Sequence, residues 1–433
     1  MPDSRSSPWP NPAPAGEATR HAGREELAQC LAQARSRTLK LFEAYESALP
    51  ANPDPLRVPF RPELNPPLWE LGHVGWFADW WIARNPERHL GTAAHPDAAR
   101  SPSRQTRTLP TGQRLEADSL YDSSRVPHAL RWHLNLHSPS ATRAHLADQL
   151  AETLHLLART PDDDTALYFF RLALFHEDMH TEAFTYMAQT LGLDLALNTD
   201  LELEPTPLAE PGPASLHLPA QAWQLGLGGA TGFAFDNELA GLTEALPDIE
   251  LDSTPVTWAR YLPFVEAGGY QRAEFWDHEG WAWLQGAAVT APRYIRRQPG
   301  NGAGWEQQKF GRWAALNPQE VASHLTAHEA RAWCRWAGRR LPTEAEWECA
   351  AHTLPGFVWG QVWEWTASTF APFPGFVPHP YRDYSAPWFD GRPVLRGASW
   401  ATSARMRHRR YRNYFTAERN DVPAGFRSVA CAQ

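Results

Sequence analysis

The stretch ALYFFRLALFHEDMHTEAF, residues 166–184, places His176 and His180 four residues apart at the end of a strongly apolar run. In a helix that spacing sets both imidazoles on one face, able to grip one ion. The apolar run turns that face towards a core, where imidazoles need partners, and a metal is one of the few that satisfies both. Upstream, PDDD at 161–164 supplies an acidic N-cap and negative charge suited to a helix start, so a helix is predicted over 164–192.

Working outward, three more helices are expected. One runs from about Arg24, where Leu27, Leu31 and Ala34, then Leu41 and Tyr45, recur at three- and four-residue intervals. Another covers 67–84, opened by Pro67. A third covers about 139–158. The polar connection over 86–138 has few periodic apolar positions, and a crossover of that length carries function or wraps the surface. Four long helices with no strand signal suggest an up-and-down bundle over 21–200. Residues 1–20, rich in Pro, Ser and Ala, are expected to be a disordered tail.

An antiparallel bundle brings facing helices together in its interior, which makes His73, inside LWELGHVGWFADWW (68–81), the third ligand. Three imidazoles without an obligatory carboxylate leave positions open for substrate and oxygen; such a set suits Fe, Zn and Cu alike. The same residues spell H-E-x-x-H, so a zinc peptidase with Glu177 as general base is the rival reading. The segment that follows, TEAFTYMAQTLGLDL, lacks the extended H-x-x-G-x-x-H form.

At about residue 200 the composition changes. LELEPTPLAEPGPASLHLPAQ reads as a linker, after which Gly, Pro and Trp punctuate short segments. Helices are predicted at 325–337, stopped by Gly338, and at 344–351. The fold class is therefore α followed by α+β, with the second domain over 201–433. A chain of 433 residues exceeds one hydrophobic core, in keeping with two domains. Net charge of −9 makes nucleic acid an unsuitable main partner. Cys30, Cys334, Cys349 and Cys431 are scattered without a C-x-x-C pair, and free thiols fit a reducing compartment. Neither a signal peptide nor a run of about 20 apolar residues is found, so a cytoplasmic protein without a membrane partner is expected.

These residues resemble a family. PPLWELGHVGWFADWWIAR (66–84) and HEDMHTEAF (176–184) resemble the two metal helices of the DinB-like domain in ergothioneine-type sulfoxide synthases. PVTWARYLPFVEAGGY (255–270), CRWAGRRLPTEAEWECAA (334–351), VWEWTAS (362–368), VLRGASWA (394–401) and RNYF…AGFRSVA (412–430) resemble the formylglycine-generating-enzyme fold, a variant of the C-type lectin fold. The resemblance covers nearly the whole chain after residue 24. It implies Fe(II) held by His73, His176 and His180, and an O2-dependent joining of a chalcogen to the imidazole C2 of hercynine, the trimethylated betaine of histidine. It also implies a tyrosine of the second domain as proton or electron source, matched by Tyr381 with Tyr384 as neighbour. True formylglycine-generating enzymes use core cysteines, and none lies between VLRGASW and Cys431.

The departures concern the donor. Where sulfoxide synthases that use gamma-glutamylcysteine carry an arginine pair, LYDSSRVPHALRW (120–132) leaves Arg125 as the one arginine matched to that pair. Phe415 stands in the slot of an aspartate that binds the donor amine, and Met179 replaces a glutamine that contacts the imidazole substrate. These changes resemble the selenoneine synthase branch, which takes selenium from a selenosugar; a thiol donor, gamma-glutamylcysteine or cysteine, is the alternative. Asn413, Tyr414 and Arg419 are the remaining expected pocket residues.

Overall fold

Among the described residues the first half holds six α-helices, α1 (Ala13–Arg20), α2 (Arg24–Ala48), α3 (Pro67–Ala78), the short α4 (Ala117–Tyr121), α5 (Pro139–Leu157) and α6 (Asp164–Leu191), of which α2, α3, α5 and α6 are the four that periodicity predicts. The computed structural model describes residues 13–49, 56–109, 111–112, 114–195, 214–229, 231–239, 241–300 and 304–431. Asp163 caps α6 by accepting from the Ala166 amide, and Gly192 closes it at φ 69, in the left-handed region where a Cβ is unwelcome. Each of α2, α3, α5 and α6 touches the other three. The predicted helix at 67–84 is α3 continued by a π-turn, Asp79–Ala83, which carries Trp80 and Trp81.

Three expectations are corrected. Ala13–Arg20 of the expected tail is helical: Arg20 is buried in a bidentate ion pair with Glu238, a partner 218 residues away that local composition cannot reveal. Residues 1–12 lie outside the described residues. The connection at 86–138 is not strand-free, since β1 (Thr106–Thr108) and β2 (Arg114–Glu116) form an antiparallel pair too short to show a period of two. Part of the expected linker is also strand, β3 (Ser215–Leu218), and β4 (Gln221–Leu225) begins at its last residue, while its 201–213 portion lies outside the described residues.

The second half mixes short helices and sheets. Its helices are α7 (Trp258–Glu266), α8 (His278–Gly286), α9 (Ala327–Trp336) and α10 (Glu344–Thr353); reciprocal caps, Thr326 with Glu329 and Thr343 with Glu346, start the last two. Strand β5 (Leu242–Leu246) pairs with β4, while β6 (Ile249–Asp252) pairs with β3. Strands β7 (Ile295–Arg297), β8 (Trp305–Lys309) and β9 (Arg312–Ala315) form a meander. The remaining strands are β10 (Arg339–Arg340), β11 (Trp363–Thr369), β12 (Pro393–Gly397), β13 (Arg412–Tyr414), β14 (Ala424–Gly425) and β15 (Val429–Ala430). They build two four-stranded sheets, ordered β10-β15-β6-β3 and β13-β12-β11-β14. Fully buried arginines brace this half: Arg412 grips Glu344 and Arg427 grips Glu364, each by two hydrogen bonds.

One apolar cluster runs from α2, α3 and α6 (Leu27, Trp69, Phe169) into the second half (Trp258, Trp363, Phe426), so the halves share a core. Among the described residues, no helix is long and apolar enough to cross a membrane.

Candidate metal centre

Helix α3 carries His73 and α6 carries His176 and His180, and their ligating atoms lie within 4.8 Å of one another. His73 donates through Nδ1 to the Tyr121 carbonyl at 2.7 Å, and His180 donates through Nδ1 to the Glu70 carboxylate, so each presents the lone pair of Nε2. The Nε2 atoms of His176 and His180 are 3.2 Å apart, as suits two ligands each about 2.1 Å from a shared ion. Burial and the neighbouring imidazoles depress His73 to about 3 and push His176 well below its ordinary value of 6.5, so both are neutral, the form that binds metals. Three converging imidazoles, two of them with Nδ1 fixed by a hydrogen bond, fit a divalent transition ion, with no carboxylate in the donor set.

Aromatic packing sets the rings. Phe77 stacks on His176 with centroids 3.5 Å apart, and Trp69 stacks on His73 at 4.8 Å. Glu70 is buried; burial favours its neutral form, but the His180 contact outweighs this and its carboxyl lies below its ordinary value. Glu177, the general base of the peptidase reading, is turned away. Its oxygens accept from Arg35 at 2.8 and 3.2 Å and from the Thr38 hydroxyl at 2.8 Å, inside the helical core. The peptidase reading thereby loses its base.

Beside His180 opens a cavity of about 270 Å³ between α6 and the second half. Of the residues singled out in the sequence, Met179, Tyr384, Asn413, Tyr414 and Phe415 line it together with His180. Tyr384 donates to the Tyr411 hydroxyl at 3.1 Å, which donates to the Met179 sulfur at 3.5 Å. Tyr414 donates to the Tyr384 carbonyl. Tyr381 is not among the lining residues; its ring lies 4.9 Å from Phe77, 6.2 Å from His176, 6.1 Å from Trp81 and 6.1 Å from Tyr384. Burial, with Asp383 and Asp122 nearby, raises its hydroxyl above the ordinary 10, so it keeps its proton.

Two expected residues lie outside the cavity wall. Arg125 is exposed and paired with Asp122 at 3.1 Å. Arg419 is chelated by Asp421, with its guanidinium 5.0 Å from the Phe415 ring. From the same connection it is Arg131 that approaches the centre, 3.9 Å over Trp69 and donating to Asn65, which in turn donates to Glu70. Sequence reasoning also missed Glu70, Glu182 and Tyr411. Glu70 carries a readable signal, standing three residues before His73 and so on its face of the helix. Glu182 stands two residues after His180, and its carboxylate accepts from Trp363, Ser399 and Thr402, contacts made across the two halves.

The description "Sulfatase-modifying factor enzyme 1-like domain" matches residues 203–359. The hercynine oxygenase of Mycolicibacterium smegmatis is 31% identical over 461 aligned residues, which cover 93% of this chain and 98% of the relative. That of Mycobacterium tuberculosis is 30% identical, with the same two shares. Among solved structures, PvdO from Pseudomonas aeruginosa is 15% identical with a TM-score of 0.32, over 50% of this chain and 93% of its own.

Proposed function

The chain belongs to the hercynine oxygenase family, and from that premise we propose that it is an O2-dependent non-haem iron(II) enzyme that joins selenium from a selenosugar to the imidazole C2 of hercynine. His73, His176 and His180 hold the iron, which when bound supplies the redox chemistry that lets oxygen act as the oxidant. Residues 21–200 form a DinB-like four-helix bundle, and 201–433 a C-type-lectin-like domain that closes over it. Tyr381 and Tyr384 are the candidate catalytic tyrosines: the Tyr381 hydroxyl, kept protonated by burial, supplies a proton or hydrogen atom beside His176. Met179, Asn413, Tyr414 and Phe415 bind hercynine or the donor, with Arg419 backing Phe415.

The observation that carries the donor assignment is the charge of the cavity wall. Among the described residues its lining includes Glu63, Glu70 and Glu182 but neither lysine nor arginine. Those acids are already engaged, Glu63 by Arg293, Glu70 by His180, and Glu182 by Trp363, Ser399 and Thr402, so a donor with two carboxylates would find no lysine or arginine in that wall to meet its charge. Leaving one such charge unmet in a partly dry site costs several kcal/mol, about a thousandfold in affinity. A neutral sugar needs no such cation and packs on Tyr414 and Phe415.

The second reading is a sulfoxide synthase of the ergothioneine pathway using gamma-glutamylcysteine or cysteine; the likeness to hercynine oxygenases supports hercynine as acceptor under either reading. The deciding experiment gives the iron(II) protein hercynine, oxygen and both donor types in competition, with the products resolved by mass spectrometry. Selenoneine-type product in large excess is expected. Efficient use of gamma-glutamylcysteine with an inert selenosugar would return the protein to the sulfur branch.

A further inference from the structure

Tyr381 stands in the segment HPYRDYS, residues 379–385, and no hydrogen bond of its hydroxyl is seen among the described residues. The ring's place therefore depends on its aromatic neighbours and on how the segment itself is fastened. One buried carboxylate fastens both ends. Asp236 accepts the His379 amide at 3.2 Å through Oδ2 and the Ser385 hydroxyl through Oδ1. Its neighbour Asn237 donates to the same Ser385 oxygen at 2.9 Å. Between those ends Tyr414 donates to the Tyr384 carbonyl and Arg382 reaches Asp97, and the metal helix adds its own hold: Tyr168 of α6, two turns before His176, meets Nδ1 of the His379 ring at 3.0 Å. Asp236, Ser385 and Tyr168 are all buried, and no arginine, lysine or exposed rim residue takes part in the contacts that Asp236 and Tyr168 make with the segment.

We propose that Asp236 is a positioning residue for the reaction, holding Tyr381 at the metal centre by clamping residues 379 and 385 at once, with Tyr168 fixing the clamped segment to the helix that carries His176 and His180. The inference rests on the reading of Tyr381 given above. The argument is geometric. A side chain without a polar partner of its own keeps a fixed distance from a reacting atom only if its backbone is fixed, and displacement of about 1 Å is enough to cost about a hundredfold in a step that depends on orientation. The carboxylate takes one donor on each oxygen; an amide in its place must turn the Ser385 hydroxyl from donor to acceptor and loses the charge-assisted strength of both contacts.

The experiment compares wild type with Asp236→Asn, Tyr168→Phe and Tyr381→Phe. Two quantities are read: amide hydrogen exchange across 379–388, with and without iron, and the ratio of hercynine-coupled product to oxidised donor under turnover. Asp236→Asn should speed exchange in this segment by about tenfold or more while the rest of the chain is unchanged. It should also move the product ratio the same way as Tyr381→Phe, with iron stoichiometry intact. Tyr168→Phe should give a smaller shift of both. Should Asp236→Asn unfold the chain globally, Tyr168→Phe decides the matter through the same two quantities. Unchanged exchange in the segment would overturn the clamp. So would faster exchange with an unmoved ratio while Tyr381→Phe moves it. A ratio that Tyr381→Phe itself leaves unmoved would instead sink the role of Tyr381, and the exchange result would still decide whether Asp236 is the anchor.

Discussion

His73 and His180 owe their usefulness to what their far nitrogens do, and the two partners differ in kind. The Tyr121 carbonyl orients His73 without charge, whereas Glu70 orients His180 with a carboxylate. Glu70→Ala should weaken metal binding by about 10–100-fold, measured by competition with a chelator. Glu177 separates this site from a peptidase. It is one residue from His176 in sequence, yet it belongs to the Arg35 pair. Glu177→Gln should leave metal stoichiometry and affinity unchanged and lower stability by about 3–5 kcal/mol in denaturant unfolding, because it leaves Arg35 buried without its carboxylate. Loss of the metal in Glu177→Gln with stability intact would reverse the assignment. The ligand histidines were legible because helical spacing and apolar context are local properties. Arg131 and Glu182 were not, because what gives each its meaning is a partner on a distant segment: Asn65 for one, Trp363, Ser399 and Thr402 for the other.

The helices α2, α3, α5 and α6 follow the apolar periodicity to within a residue or two, except that the predicted 67–84 helix turns π after Ala78. A period of 3.6 sustained over many residues survives local irregularity, whereas two- to five-residue strands such as β1, β2 and β14 leave no comparable trace. The element that matters most to the site is the contact between α3 and α4. Gly72 lets Tyr121 lie against α3, and a Cβ there would stand 2.2 Å from the Tyr121 ring, which is fully buried and has nowhere to go. The same Tyr121 supplies the carbonyl that fixes the His73 tautomer. Gly72→Ala, a change that elsewhere in a helix is favourable, should destabilise the chain by about 1–3 kcal/mol or more and weaken metal binding with it. Thermal unfolding and metal titration check the two effects, and a stabilised, fully metal-loaded Gly72→Ala would show that α4 does not steer His73.

At the scale of the molecule, the first helix ties the two halves together across 218 residues of sequence, through Arg20 and Glu238. Composition pointed to a disordered tail because the residues before Arg20 are small, polar or proline; the helix is held by a partner in the second half and not by its own propensity. The pair is nearly inaccessible, 5% and 0% exposed, and Glu238 also accepts the Phe235 amide at 3.0 Å. Burial alone would raise the Glu238 carboxyl, but Arg20 outweighs it and holds the group below its ordinary value of 4.5. A depressed carboxylate contributes stability that is present above about pH 4.5 and is lost as pH falls through the folded-state value. Arg20→Met keeps the apolar stem and removes the charge, leaving Glu238 with burial unopposed, so its pKa should move up instead of down. At pH 7 the variant should be less stable by about 3–5 kcal/mol, the usual result of stranding one member of a buried pair. That deficit should shrink as the pH is lowered, because the variant's Glu238 takes up its proton earlier than the wild-type group does. Urea unfolding of both proteins at a series of pH values tests this. A deficit that stays constant from neutral to acid would mean that Arg20 acts through packing of α1 alone and not through its charge on Glu238.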